Sequence, residues 1–183
     1  MALESARKIV REKGIEALST RAVASGIGYT VGTLYQVFRN MDDLVHQVNQ
    51  STLERLLDAC TLLGPDASVS DRLKGLAKDY IAFAQANPQE WRAVISYPYS
   101  PDFEWSKEYD HVVEQLLGLM TSATKEHYSA DEQEEQIQDM RLLWSSLYGI
   151  FSLDAAGRLG KKQSVEDMAR RLVGMYVAGR EKS

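Results

Sequence analysis

The sequence predicts an all-α fold of about nine helices, and three observations carry that expectation. Apolar residues recur at intervals of three and four along most of the chain, as they do on one face of a helix. The breaks between those stripes fall at glycine, proline and N-capping residues. No period-two alternation of apolar and polar residues, internal repeat or low-complexity tract interrupts the pattern. With 44% hydrophobic residues among 183, the chain has enough apolar material for a buried core in one or two domains.

Leu3, Ala6, Ile9 and Val10 mark one face of a first helix, Arg7, Lys8, Arg11 and Lys13 lie on or beside the other, and Gly14 stops it. Ile15 and Leu18 then lead into the core of a small N-terminal domain. Ser19 or Thr20 can cap a short helix in which Val23 and Ile27 face inward. Gly28 supplies the left-handed backbone of a tight turn, and Thr30 caps a second short helix whose inward residues are Leu34 and Phe38. Val31, Gly32, Thr33, Tyr35 and Gln36 are left near or on its outer face, where small and hydroxyl-bearing residues suit close approach to a phosphate backbone. Spacing alone is also met by an ordinary pair of core helices. Asn40, followed by Asp42 and Asp43, opens a longer helix to about Leu62. Leu44, Val48, Thr52, Leu56 and Cys60 line its buried face, and it joins residues 1–46 to residues 47–183.

Gly64-Pro65-Asp66-Ala67-Ser68 is the clearest break in the chain. Val69, Leu73, Leu76, Tyr80 and Phe83 then form one helical stripe. Asn87-Pro88-Gln89-Glu90 reads as an N-cap, a first-turn proline and a capping-box acid for a short helix carrying Trp91, Val94 and Ile95. After a loop at 96–100, Pro101 is expected to restart a helix with Trp105, Tyr109, Val112, Leu116, Leu119 and Ala123 inward. Ser129-Ala130-Asp131-Glu132 is a capping box before a helix with Ile137, Met140, Trp144, Leu147 and Phe151 inward, ended by Gly157 and Gly160. Ser164 caps the last helix.

Composition and motifs exclude several classes. The longest apolar runs fall well short of the roughly 20 residues of a membrane span, and the first residues carry no signal-peptide pattern. The single cysteine, Cys60, fits a reducing compartment, so a cytoplasmic location is expected. His46, His111 and His127 are far apart and outside metal-ligand spacing, the neighbour pairs at 110–111 and 126–127 reading as solvated surface. No phosphate-binding glycine loop, nucleophile elbow or HExxH pattern is present, so neither catalysis, a metal nor a cofactor is expected. The net charge of −5 is unusual for a nucleic-acid binder, but it is unevenly spread. Residues 1–46 hold six Lys/Arg against five Asp/Glu, and residues 47–183 hold fifteen against twenty-one.

Val23-Ala24, Ile27-Gly28-Tyr29-Thr30 and Gly32-Thr33-Leu34-Tyr35, with Phe38 and Asp43-Leu44 beyond, resemble the helix-turn-helix domain of the TetR family of transcriptional regulators. The resemblance is strong over residues 6–44. It implies that Thr20, Thr33 and Tyr35 meet phosphates and that Arg21, Val31 and Gln36 meet base edges of a double-stranded DNA operator, with Thr30 and Gly32 in the same surface. Met41 stands where the family usually has a lysine facing a phosphate. The short basic arm that precedes the first helix in many relatives is expected to be either absent or not retained in this sequence.

Any one aromatic at helical spacing is most simply core. Together, Trp91, Tyr97, Tyr99, Phe103, Trp105, Trp144, Tyr148 and Phe151 concentrate amphipathic rings between positions 91 and 151, which suits a pocket for an apolar or aromatic small molecule. Residues 80–91 with 143–150 look like the family's effector domain marked by a Trp and a His-Gly pair, with Tyr148 in place of the histidine. The resemblance implies a ligand-controlled regulator, usually a repressor. Small residues Gly149, Ser152 and Ala156, facing an apolar stripe of Met168, Leu172, Met175 and Gly179, suit close helix packing between two copies. The family dimerises through these helices. The contending expectation is a small-molecule-binding or protein-interaction module that keeps the fold with little DNA affinity.

Overall fold

A computed structural model describes residues 1–160 and 163–181. Among them are nine α-helices, three short 3₁₀ turns and no strand, so the chain is all-α. The helices are α1 (Ala2–Lys13), α2 (Thr20–Ile27), α3 (Val31–Leu34), α4 (Met41–Ala59), α5 (Val69–Ala86), α6 (Pro88–Ser96), α7 (Lys107–Thr124), α8 (Gln133–Ala155) and α9 (Val165–Arg180).

They form two compact units. The first comprises Met1–Arg55 and Ala84–Asp110, the second Leu56–Phe83 and the described part of His111–Ser183. The expected division after residue 46 falls inside α4, and the unit holding the helix-turn-helix also holds α6. In the first unit Ala6 and Val10 of α1, Val23 and Ala24 of α2, Leu34, Phe38, and Leu44, Val45 and Val48 of α4 bury together with Ala93 of α6. In the second, Val69, Leu73, Leu76 and Ala77 pack with Met120, Ala123, Met140, Leu143 and Val173. These are stripes at helical spacing, and removing their apolar surface from water is what holds each unit together.

Several local expectations are corrected. The helix after the 96–100 loop begins at Lys107 and not at Pro101: Phe103 N–H donates to the Ser100 carbonyl at 2.9 Å, closing a turn, and the Ser106 hydroxyl caps α7 by accepting Tyr109 N–H at 3.1 Å. Trp105 therefore precedes the helix and is 48% exposed. Helix α4 stops at Ala59, short of Leu62, because Thr61 N–H is taken by the Asp79 carboxylate at 2.8 Å. Glu90 forms no capping box. It is fully buried, and its Oε1 accepts Arg55 Nη1 at 2.7 Å while the Asn87 side chain accepts Arg55 Nη2 at 2.6 Å. Ile137 is exposed and its neighbour Gln136 is buried in its stead, the amide donating to the Thr121 carbonyl and the Thr124 hydroxyl. His46 is buried, whereas His111 is exposed.

Candidate functional site

The helix-turn-helix is built by local hydrogen bonds that the sequence specifies. Ser19 Oγ accepts Ala22 N–H at 3.1 Å at the start of α2. At its end Gly28 has φ 73°, a left-handed conformation; Tyr29 N–H donates to the Ala24 carbonyl and Gly28 N–H to that of Ser25, which satisfies the last carbonyls of the helix. Thr30 Oγ1 then accepts Thr33 N–H at 3.3 Å and opens α3. Gly26 allows α2 to lie against α1, since a Cβ there would stand 2.7 Å from Ser5 Oγ. Leu34 and Phe38 anchor α3 in the core at 1% and 2% exposure.

The opposite face is open. Arg21, Thr30, Gly32, Tyr35 and Gln36 are exposed, and Thr20, Val31, Thr33 and Met41 are half-buried. All nine expected DNA-contact residues are thus solvent-reachable, although Met41 also packs against the helix-turn-helix core. Tyr29 and Val37, at 52% and 60% exposure, extend this face. Sequence reasoning left them out because neither falls on the outward spacing of a helix; both lie in turns flanking α3.

Behind this face the start of α4 is tied to the chain that follows α6. The Asp42 carboxylate accepts Tyr97 Oη at 2.8 Å, Ser100 N–H at 3.1 Å and the Ser100 hydroxyl. These bonds, that of the Ser100 hydroxyl foremost, hold the carboxyl below the usual aspartate range. Asp43 accepts Arg39 N–H at 2.8 Å, and its own N–H donates to Asn40 Oδ1 at 2.9 Å.

The eight expected ligand residues divide between the units. Trp91, Tyr97, Tyr99, Phe103 and Trp105 belong to the first, Trp144, Tyr148 and Phe151 to the second. In the first, Tyr99 lies 4.7 Å from Phe103 and 4.9 Å from Trp105 between ring centroids, and His46 stacks on Tyr109 at 4.9 Å. His46 Nε2 is 2.9 Å from Ser106 Oγ, and burial lowers the basicity of the ring. Burial first, and then Asp42, pushes the Tyr97 phenol up to about 12. Trp91 is buried at 4% exposure.

In the second unit Tyr80 meets Trp144 and Phe151 edge-on at 5.7 and 4.6 Å. Tyr80 and Trp144 line a cavity of about 30 Å³ walled otherwise by Cys60 and by leucine, methionine, alanine and valine side chains of α5, α7, α8 and α9. Burial and the Asp79 charge push the Cys60 thiol up to about 11, and burial pushes Tyr80 higher still. Tyr148 is half-buried and acts on the Tyr80 phenol.

None of the seven expected interface residues is buried. Gly149, Ser152, Met168 and Leu172 are half-buried, and Ala156, Met175 and Gly179 are exposed, Met175 at 65%. Helix α9 packs inward through Val165, Ala169 and Val173. On α8, Leu142 and Leu153 are 68% and 47% exposed, and with Ser146 and Gly149 they occupy one helix face. The Ser146 and Ser152 hydroxyls donate to carbonyls of their own helix, at 2.8 and 2.9 Å. Leu142 escaped the sequence reading because it lies off the inward stripe of Ile137, Met140, Trp144, Leu147 and Phe151.

Among the described residues there is no cluster of His, Cys, Asp or Glu able to hold a metal, and no helix long and apolar enough to cross a membrane.

Comparison with known proteins yields two family models. Residues 2–48 match the model described as bacterial regulatory proteins, tetR family, and residues 73–176 match the tetracyclin repressor-like C-terminal domain. Among solved structures, a TetR transcriptional regulator from Rhodococcus sp. RHA1 is 20% identical with a TM-score of 0.72, covering 96% of this chain and 92% of that one. The fatty acid degradation regulator FadR from Bacillus halodurans is 16% identical with a TM-score of 0.69, covering 97% of both. A TetR-family regulator from Streptomyces coelicolor is 20% identical with a TM-score of 0.66, covering 97% and 96%. No curated protein matches in sequence.

Proposed function

The chain belongs to the tetR family of bacterial regulatory proteins, and on that premise we propose that it is a cytoplasmic repressor that binds a palindromic operator as a homodimer and is released by a small apolar effector. The observation that carries the DNA-binding part is the open face of α2 and α3, which displays Arg21, Thr30, Gly32, Tyr35 and Gln36 from a helix-turn-helix whose two caps and left-handed turn are all formed. Thr20, Thr33 and Tyr35 meet phosphates. Arg21 and Gln36 read base edges, where arginine pairs bidentately with guanine and glutamine with adenine, and Val31 offers a thymine methyl an apolar contact. Met41 lies beside the backbone without a charge to offer it. Residues 1–46 act as the DNA-binding domain and residues 47–183 as the effector and dimerisation domain.

Exposed apolar side chains accompanied by small residues, Leu142 and Leu153 with Gly149 and Ala156 at the end of α8, and Met175 with Gly179 on α9, support self-association. Large apolar side chains at 47–68% exposure are costly to leave in water, and small residues between them let a second copy approach. Since the Ser146 and Ser152 hydroxyls bond to their own helix, covering them strands neither. The reading assigns no catalytic residue and no cofactor.

Footprinting of promoter fragments from the source genome tests the proposal. Protection of a two-fold symmetric site, lost on replacing Thr33 by Glu, is the expected result. Uniform, sequence-independent protection or none would favour an interaction module that retains the fold.

A further inference from the structure

We propose that the first unit carries a ligand site of its own, an open cleft of about 350 Å³ between α4 and the start of α7 that binds a small aliphatic amine in its ammonium form. The volume is that of a small-molecule site. Its apolar lining residue is Leu3 of α1, and its charged ones are Glu54 of α4 and Glu108 in the first turn of α7. None of the described lining residues is a lysine or an arginine. The neutral groups carry the same bias. Gln50 donates its amide to Glu54 Oε1 at 2.9 Å and Gln47 donates to Asp43 Oδ1 at 3.3 Å, so what these two side chains offer a guest is their carbonyl oxygens. The guest has to bring the donors and the positive charge.

A buried lining residue points to the same chemistry. His46 is 3% exposed, and its Nδ1 has no hydrogen-bond partner in the protein. A polar atom buried unpaired is costly, and it marks where a guest can bond. Burial among the rings of Phe103, Trp105 and Tyr109, at 4.9–5.5 Å between centroids, lowers the basicity of the imidazole and favours its uncharged form. Ser106 Oγ, 2.9 Å from Nε2, accepts Tyr109 N–H and can accept the ring proton as well. With that proton on Nε2, Nδ1 keeps a lone pair, and an ammonium N–H is the donor it lacks. Asp43, Asp110 and Glu108 act on the ring against Arg39 alone, a field that also favours a cation. A bare metal ion suits the cleft less, because no three His, Cys, Asp or Glu among the described residues are grouped to hold one. One carboxylate on each helix, with Leu3 as apolar surface, matches a short diamine in kind: an ammonium for each acid and methylenes for the leucine. Bound there, it would offset two negative charges in the unit that carries the helix-turn-helix. The inference is independent of the apolar effector proposed above, whose chemistry is the opposite.

Calorimetric titration of the full chain at fixed ionic strength, with 1,4-diaminobutane, butylamine, 1,4-butanediol and magnesium chloride as probes, tests the assignment. The expected result is one diamine per chain, bound about tenfold tighter than butylamine, with the diol and magnesium silent. Glu54→Gln and Glu108→Gln, both at exposed positions, should each weaken the diamine about tenfold. Glu114→Gln, an exposed acid of α7 that does not line the cleft, should leave it unchanged. Nitrogen NMR of the imidazoles supplies a second readout: the diamine should move the His46 Nδ1 resonance toward that of an unprotonated nitrogen and leave His111 still. Magnesium binding as tightly as the diamine would mean that the acids gather counter-ions only and would overturn the site. So would diol binding equal to that of the diamine, full affinity in Glu54→Gln and Glu108→Gln, or His46 resonances that do not respond.

Discussion

Removing the guanidinium of Arg55 should damage the first unit more than neutralising the carboxylate it serves. Glu90 is fully buried on α6, and Arg55 Nη1, with about a third of its side chain exposed on α4, bonds it at 2.7 Å. In Arg55→Met the carboxylate stays buried without its cation, a situation that costs about 3–5 kcal/mol, and the partial exposure of Arg55 argues for the lower end, about 3. For a chain of this length each kcal/mol moves the melting temperature by roughly 2–4 °C, so a fall of roughly 6–12 °C is expected. Glu90→Gln removes the charge but keeps an acceptor, while Arg55 retains Asn87 and water, so about 1–2 kcal/mol and roughly 2–8 °C are expected. The decisive comparison is the double variant. Arg55→Met with Glu90→Gln should melt above Arg55→Met alone, because the second change discharges the stranded group. Thermal melts followed by circular dichroism would refute the reasoning if Arg55→Met were no worse than Glu90→Gln, or if the double variant were the least stable of the three.

Further outcomes follow from the same structure. Gln36→Ala should change base preference, whereas Tyr35→Phe should weaken all sequences alike; an equal loss on every operator variant for Gln36→Ala would remove it from the base-reading set. Met41→Lys should raise affinity for all sequences and steepen the slope of log affinity against log salt by about one per half-site, its stem replacing methionine against the core while the ammonium reaches the surface. An unchanged slope would mean that position 41 does not face the backbone. Gly28→Ala meets no neighbouring atom, so its cost is the left-handed backbone alone, about 1–2 kcal/mol in urea denaturation. For Asp42 the folded carboxyl is more acidic than the unfolded one, so its contribution is complete above about pH 4 and is lost as pH falls through the lower folded value. Wild type and Asp42→Asn should therefore differ most near neutrality and converge in acid; a difference that grows in acid would contradict the assigned bonds.

The helix-turn-helix was legible because its signals are local. Ser19, Gly28 and Thr30 each act on backbone groups within four residues, and each makes the bond its position predicts. Stripes such as Val69, Leu73, Leu76, Tyr80 and Phe83 were legible for the same reason, a single period on one helix. Failures came where a distant partner outweighed a local signal. Glu90 has the spacing of a capping-box acid, yet Arg55, thirty-five positions earlier, claims it. Pro101 is a good first helical residue, but the Ser100–Phe103 turn and the Ser106 cap delay α7. The aromatic residues between 91 and 151 are near in sequence yet divide between two units, since α7 passes from one to the other at Asp110, and no periodicity marks that passage. His46 gave no sign of burial, because the rings that surround it come from residues 99–109.

The most direct measurement of the central claim is selection of binding sites by the purified full chain from random duplex DNA. The account predicts enrichment of a two-fold symmetric sequence whose half-sites are centred one helical turn apart, about 34–36 Å, or a multiple of it. Enrichment of no symmetric sequence, with retention that merely tracks ionic strength, would contradict it.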